Sequence, residues 1–413
     1  MHEHSRTLLI GWRGGVGTAA QGLLTTHPRG RELAAETRLF LLDAEPPHGP
    51  PFAPLVDAEV LPPQKLCSGE DLEAVIARCR IDRVIDLGTS NTLASVRACA
   101  RARADYLSTC YDPLTYPASG PPEGPPLMEG ARALLPAARP AIETGSHLIA
   151  SGMNPGVVSA LLLRGLERFA ELAGVGEHEL DIHAIVLTEI DTTHALEGAP
   201  AADVFAMSWS PEHCLSEILE PSASIVRGGE ITPLGHPPIA ARYRARCGED
   251  VALGFAVPHE ELVWLGARFP RCELSYVYQL PAAAEAALRA HPQRSAEDWE
   301  TARLIPPRID ARALEGFDRM GVLLCSRRFG ELWMGFHTTM AEAQRFETSA
   351  TELQVAAGVL AGWAQLGERA GIHLVEELDW RRFLRDAEAI LGPATEVWDP
   401  DAPPRLLADR QVC

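Results

Sequence analysis

Apolar and polar positions along the 413-residue chain follow two regimes. Over the first third, short apolar runs alternate with helical patterns. Residues 7–10, 38–42, 84–88, 105–110 and 147–150 read as strands. Helical spacing follows over 18–25, 71–78, 92–104 and 127–138, and Ser68 with Asp71 forms a capping box at the second of these. Strands that alternate with helices predict a parallel sheet covered on both faces. Residues 1–152 therefore read as a Rossmann-type, doubly wound domain.

The pattern then changes. Residues 181–187, 204–209, 250–257 and 272–280 read as strands, and 320–325 with 331–337 as a hairpin around Phe329-Gly330. Ser210-Pro211-Glu212 opens a helix that runs through Glu217. This predicts an α+β domain over 153–348 with a partly antiparallel sheet, which would bind substrate and form a dimer contact. Long helices are expected over 351–369 and 380–391, completing the first domain from within 349–413.

The candidate chemistry starts at the first strand. Gly11-Trp12-Arg13-Gly14-Gly15-Val16-Gly17 lies between that strand and a helix, a looser form of the dinucleotide fingerprint. Glycines there let the backbone approach a pyrophosphate at a helix N-terminus. Asp43 ends the second strand, where a carboxylate accepts the ribose hydroxyls of NAD and repels the 2′-phosphate of NADP. Gly88, Thr89 and Ser90 close the next strand of the domain core on the same pattern. At Gly152-Met153-Asn154-Pro155-Gly156 a buried strand meets a long apolar helix. Pro155 fits a first helical turn and Asn154 an N-cap, so Gly152, Asn154 and Pro155 join the expected cofactor contacts.

Composition narrows the chemistry. The net charge of −19 argues against nucleic acid as partner. The nine cysteines show neither Cys-x-x-Cys nor zinc spacing, so no metal is expected and the thiols read as reduced core residues. Among 37 basic residues only Lys65 is lysine, and it sits in a proline-rich loop. That excludes a Schiff-base lysine and a P-loop. Chemistry must then rest on acids, histidine, aromatics or a bound cofactor. No apolar run reaches membrane length, and the N-terminus has no signal-peptide core, so a cytoplasmic protein is expected.

These motifs together resemble the bacterial NAD-dependent homospermidine synthases, within the saccharopine dehydrogenase-like group. The resemblance rests on Gly152-Met153-Asn154-Pro155-Gly156-Val157-Val158-Ser159 and on Thr188-Glu189-Ile190-Asp191-Thr192. It extends to Ser208-Trp209-Ser210-x-Glu212-x-x-x-Ser216-Glu217, Val257-Pro258-His259-Glu260 and Glu352-Leu353-Gln354-Val355-x-x-Gly358. It implies a homodimer with bound NAD that oxidises putrescine or a similar diamine, loses ammonia, accepts a second amine and returns the hydride. It also implies a pocket in which Trp209 faces the cationic amine. Glu189 and Glu217 would bind the ammonium ends, with Asp112 where a glutamate is usual, and Asn154 and His259 would line the pocket. An indole face stabilises a desolvated cation by up to about 2 kcal/mol. A histidine can shuttle amine protons near neutral pH.

Two departures bear on the substrate. The family carries an aspartate in the loop after the fourth strand, where this chain has Gly88-Thr89-Ser90-Asn91, and Asp112 is one carbon shorter than glutamate. A weakened ammonium anchor leaves room for another amine, an amino acid or a guanidino compound. The alternative is reductive condensation of the saccharopine or carboxynorspermidine dehydrogenase type, with Arg13, Arg227, Arg242 or Arg244 binding a carboxylate. A nucleotide sensor without turnover is the non-enzymatic reading.

Overall fold

The structure is a computed structural model that describes residues 4–44, 58–115, 123–196, 201, 203–304 and 314–412. Most of the proline-rich stretch expected over 46–63, and the middle of the loop over 113–126, lie outside the described residues. The chain divides into two compact units. The first comprises Met1–Val157, Phe346–Thr348 and Glu352–Ile390; the second comprises Val158–Arg345, Ser349–Thr351 and Leu391–Cys413.

The first unit carries a seven-stranded parallel sheet. Its order is Gly371–His373, Ser146–Leu148, Asp105–Ser108, Arg83–Asp86, Ser5–Ile10, Thr37–Leu42 and Ala58–Val60. Leu8, Leu9, Leu41, Leu42, Val84, Ile85 and Leu107 are almost fully buried. Such continuous apolar strands are what a sheet covered on both faces requires. The strand order reverses direction around Ser5–Ile10, as in a doubly wound nucleotide fold. Ser68 and Asp71 exchange the expected capping bonds, Asp71 N to Ser68 Oγ at 3.2 Å and Ser68 N to Asp71 Oδ2 at 2.9 Å.

The turn after Ser146–Leu148 differs from expectation. Asn154–Pro155 is a cis peptide, and the following helix opens only at Val157. Pro155 is therefore outside the first helical turn, and Asn154 is not its N-cap. The turn closes on itself instead: Gly152 N donates to Pro155 O at 2.9 Å, and Val157 N to Gly152 O at 3.0 Å. Gly156 has φ +129°, and a Cβ there would come within 2.7 Å of Gly152 N. The helix expected over 351–369 is Ala350–Trp363. It is buried on nearly every side rather than amphipathic, and the chain turns away through Gly367 at φ +95°.

The second unit is built on a larger mixed sheet. Its main path runs Thr395–Asp399, Gly330–Thr339, Phe317–Ser326, Ile182–Asp191, Glu273–Gln279, Asp250–Ala256, Arg242–Cys247 and Gln411–Val412. The expected hairpin is present, with ten paired positions from Phe317↔Thr339 to Ser326↔Gly330. Ile182–Asp191 lies at its centre, parallel to Glu273–Gln279 and antiparallel to Phe317–Ser326. One apolar core packs Val186, Val277, Leu323 and Trp333 with Ala245 and Leu407. Among the described residues, no helix is long and apolar enough to cross a membrane.

Candidate active site

In the first unit the sequence-derived residues gather at the carboxyl ends of parallel strands, where open α/β sheets bind ligands. Gly11 follows Ser5–Ile10, with φ +72°, and Gly14 N donates to Gly11 O at 3.1 Å. Gly15–Thr26 is the helix that follows; its N-cap is Gly14, which has no side chain to take up the first N–H groups. A Cβ at Gly17 would lie 2.6 Å from the Trp12 backbone, so the close return of this loop needs glycine. Asp43 ends Thr37–Leu42 and turns back to the loop, accepting Arg13 N at 3.1 Å and Ala44 N at 2.8 Å. A Cβ at Gly15 would strike the buried Glu352 carboxylate. The Thr348 hydroxyl ties that region together, 3.2 Å from Gly15 O and 3.0 Å from Glu352 Oε2. Ser151 Oγ donates to Gly358 O at 3.0 Å, which anchors the 152–156 turn against Ala350–Trp363.

Asp86 explains the loop at Gly88, Thr89 and Ser90. It is buried, and it accepts Gly88 N at 3.1 Å, Ser90 Oγ at 2.6 Å and Tyr106 Oη at 3.0 Å. Burial still pushes its carboxyl above the usual range. Asp112 is also buried, but it is engaged locally: its Oδ1 accepts Leu114 N at 2.8 Å, and its own N–H donates to Thr92 Oγ1 at 2.8 Å. That is the geometry of a turn before Pro113.

The second unit brings Glu189, Trp209, Glu217 and His259 together. Glu189 and Asp191 stand two apart near the end of Ile182–Asp191, hence on one face of the sheet. Tyr278 is opposite Glu189 in the parallel register, and Asp318 is opposite Asp191 in the antiparallel one. Tyr276 Oη donates to Glu189 Oε2, Thr351 Oγ1 donates to Asp318 Oδ2, and Thr193 N donates to Asp191 Oδ1 at 2.8 Å. All three acids are buried. Among the described residues neither Glu189 nor Asp191 forms an ion pair. Burial, and then the charge of Asp318, hold Glu189 well above the usual carboxylate range. Burial raises Asp191 and Asp318 as well, and Asp191 adds to the rise of Asp318. Like charges this enclosed cannot all ionise without a cation among them.

Trp209 is half-buried just past the strand Val204–Met207, and its Nε1–H donates to Tyr278 Oη at 3.1 Å. The helix Pro211–Ile218 starts as expected, with Ser210 Oγ accepting His213 N at 3.3 Å. One turn later on that helix, Glu217 Oε1 lies 3.2 Å from His213 Nε2. The His213 ring is 6.3 Å from the indole. Glu220 follows, pushed up to about 7 by burial and by Glu217. His259 packs its ring edge on Tyr276, 5.4 Å between centroids at 84°. Its Nδ1 lies 3.2 Å from Glu260 Oε2 and 3.6 Å from Glu261 Oε1. Burial dominates and pushes His259 down to about 4, so the ring is neutral near neutral pH.

Sequence reasoning missed Asp318, Tyr276 and Tyr278. A Tyr-x-Tyr repeat at a strand end and one acid inside an apolar hairpin were the available signals. Among the described residues no cluster of His, Cys, Asp and Glu could hold a metal ion, and the eight described cysteines are free thiols.

No protein-family model matches the chain. It is 28% identical over 303 residues to a homospermidine synthase of Blastochloris viridis, covering 60% of this chain and 61% of that protein. It is 26% identical over 296 residues to one of Mesorhizobium japonicum, covering 59% of each. The matches thus span about three fifths of the length of these curated relatives. Among solved structures, the homospermidine synthase of Legionella pneumophila in complex with NAD superposes with a TM-score of 0.78 at 19% identity, over 96% of this chain and 92% of that one. Saccharopine dehydrogenase of Saccharomyces cerevisiae superposes with a TM-score of 0.54 at 13% identity, over 95% and 100%. This chain is similar in sequence to homospermidine synthases, and it has their fold.

Proposed function

We propose that the chain is an NAD-dependent, amine-condensing enzyme of the homospermidine synthase kind. The observation that supports this most is the second unit's set of buried carboxylates, Glu189, Asp191 and Asp318, beside the indole of Trp209. Burial raises all three acids, repulsion raises Glu189 and Asp318 further, and such acids are costly unless a cation joins them. A protonated diamine supplies one at each end.

The first unit fits NAD. Gly11, Gly14, Gly15, Val16 and Gly17 would hold the pyrophosphate at the helix N-terminus, and Asp43 would accept the adenosine ribose hydroxyls. Gly88, Thr89 and Ser90, with Gly152, Asn154 and Pro155, occupy the other strand ends of the same sheet edge. When bound, NAD supplies a hydride acceptor and donor for the carbon that bears the amine.

The chain's own residues do the remaining work. Glu189, Asp191 and Asp318 hold one ammonium, and Glu217 holds the other. Trp209 presents its face to the cationic nitrogen between them. Burial holds His259 at about 4, below the neutral range expected from sequence, so its neutral ring relays a proton from the attacking amine to departing ammonia without resting as the imidazolium. Asp112 is bound into its own turn, which leaves the second unit's acids as the principal anchors. The reductive alternative needs a free arginine for a substrate carboxylate. Arg227 is paired with Glu273 and Arg242 with Glu285, whereas Arg244 is exposed and Arg13 lies in the glycine loop of the first unit, so it is the buried acids and not a lack of arginines that favour the amine reading.

Incubation with NAD and a panel of diamines, followed by mass spectrometry, tests the reading. A secondary amine and ammonia without net NADH are the expected products. Stoichiometric consumption of NADH with an oxo acid would instead establish the reductive type. The homodimer and the cytoplasmic location remain part of this proposal; a single-subunit mass in solution would remove the former.

A further inference from the structure

We propose that Tyr278 is a positioning residue that aims the indole of Trp209, an inference that rests on the amine-binding reading above. Trp209 lies beyond the end of its strand, in the bend Ser208-Trp209-Ser210, where no ladder bonds fix its direction. Its side chain is half-buried, with the ring edge reaching toward the strand Glu273–Gln279 through the indole N–H. A cation gains from an indole only when it sits over the ring face, so a tilt of the ring forfeits the contact.

The single polar handle on the indole is its N–H, a donor with no acceptor capacity. It is taken by Tyr278 Oη at 3.1 Å. The Tyr278 ring is itself held firmly. It is 2% exposed, and it stacks on Tyr276 with centroids 5.8 Å apart and ring planes within 8°. The two tyrosines stand two apart on Glu273–Gln279 and so share a face of the sheet. Tyr276 in turn donates to Glu189 and carries the edge of His259. The stacked pair is thus one plate that holds the indole at one hydroxyl and the ammonium-binding carboxylate at the other. It sets the spacing between the cation's aromatic face and its counter-charge. Burial keeps both phenols protonated, since their ionisation is pushed well above the ordinary tyrosine range. The plate therefore keeps its hydrogen-bonding pattern at any working pH.

The test is a double-mutant cycle on the full-length protein with Tyr278→Phe, Trp209→Phe and the pair, read two ways. In isotope-labelled indole NMR, the Trp209 Nε1–H signal is identified by its loss in Trp209→Phe. It should move upfield in Tyr278→Phe, and an unmoved signal overturns the proposal whatever the enzyme's substrate is. In kinetics, Tyr278→Phe should lower kcat/KM for the amine by about thirtyfold, the size of one desolvated cation–π contact, with NAD affinity unchanged. In the Trp209→Phe background, which has no N–H to orient, Tyr278→Phe should change little further. Equal losses in both backgrounds would show that Tyr278 acts by packing and would overturn the proposal. If the wild-type protein turns over no amine, the functional reading falls, while the NMR outcome still decides whether Tyr278 orients the indole.

Discussion

Each unit buries carboxylates near the ends of central strands, and the two sets are treated differently. In the first unit Asp86 is surrounded by donors: a backbone N–H, a serine hydroxyl and a tyrosine hydroxyl all point at it. In the second unit Glu189, Asp191 and Asp318 share one neighbourhood; burial raises all three, and the charge of a neighbouring acid raises Glu189 and Asp318 further. A buried acid that its own fold satisfies is scaffold, and here Asp86 fixes the 88–90 loop. Buried acids that face one another are kept at a cost to stability, which a cationic ligand offsets. Burial alone does not separate the two cases, nor do donors, since Tyr276, Thr193 and Thr351 supply them in the second unit; the difference is that these acids face one another.

Substitutions can sharpen or break this contrast. The largest effect is expected for Glu189→Gln, which keeps the acceptor for Tyr276 but removes the charge. Amine kcat/KM should fall about a thousandfold, within the range for unpairing a buried ionic contact. The variant should be no less stable than the wild type, and the urea midpoint should rise, because a raised acid loses its penalty when neutralised. A lower midpoint would place Glu189 with Asp86 as scaffold. His259→Gln should lower kcat about a hundredfold with little change in KM, as expected for loss of a proton acceptor.

Asp86→Ala should behave in the opposite way to Glu189→Gln. It strands the Tyr106 hydroxyl and the Gly88 N–H, and should cost about 2 kcal/mol of stability in urea unfolding. A smaller pH effect follows from the raised acids. Their pKa values lie above the unfolded ones, so in the free protein they hold protons to higher pH, and that contribution to stability fades as pH rises through the folded values. Amine binding requires them charged, so affinity should increase from roughly pH 5 to 8, while the diamine itself stays protonated throughout. Flat affinity over that range would remove the acids from the site. The smallest effect belongs to Asp112→Asn. It retains the acceptor for Leu114 N, and stability should change by less than about 1 kcal/mol.

Much of the first unit was legible because its signals are local. Strand, glycine loop, helix and terminal acid follow one another within 43 residues, and the Ser68 capping box spans four. The hairpin at Phe329-Gly330 was legible for the same reason. The cluster in the second unit was only half legible. Glu189, Trp209, Glu217 and His259 stood out through a family resemblance, whereas Asp318 reaches Asp191 through a pairing 127 residues apart in sequence (318 minus 191). Tyr276 and Tyr278 read as ordinary strand residues until the parallel register set them beside Glu189. The strand Arg242–Cys247 went unread because its alternating arginines resemble a solvated segment. Asn154 and Pro155 were misplaced relative to the helix because a proline in a turn signals a helix start equally well whether its peptide is cis or trans.

On the amine-binding reading, the buried acids of the second unit become charged when an amine arrives. Calorimetric titration of a diamine near neutral pH, in two buffers of different ionisation heat, counts the protons exchanged. Net proton release to the buffer on binding is the expected result, and Glu189→Gln should reduce it. Diamine binding with no proton release would show that these acids do not ionise against the amine.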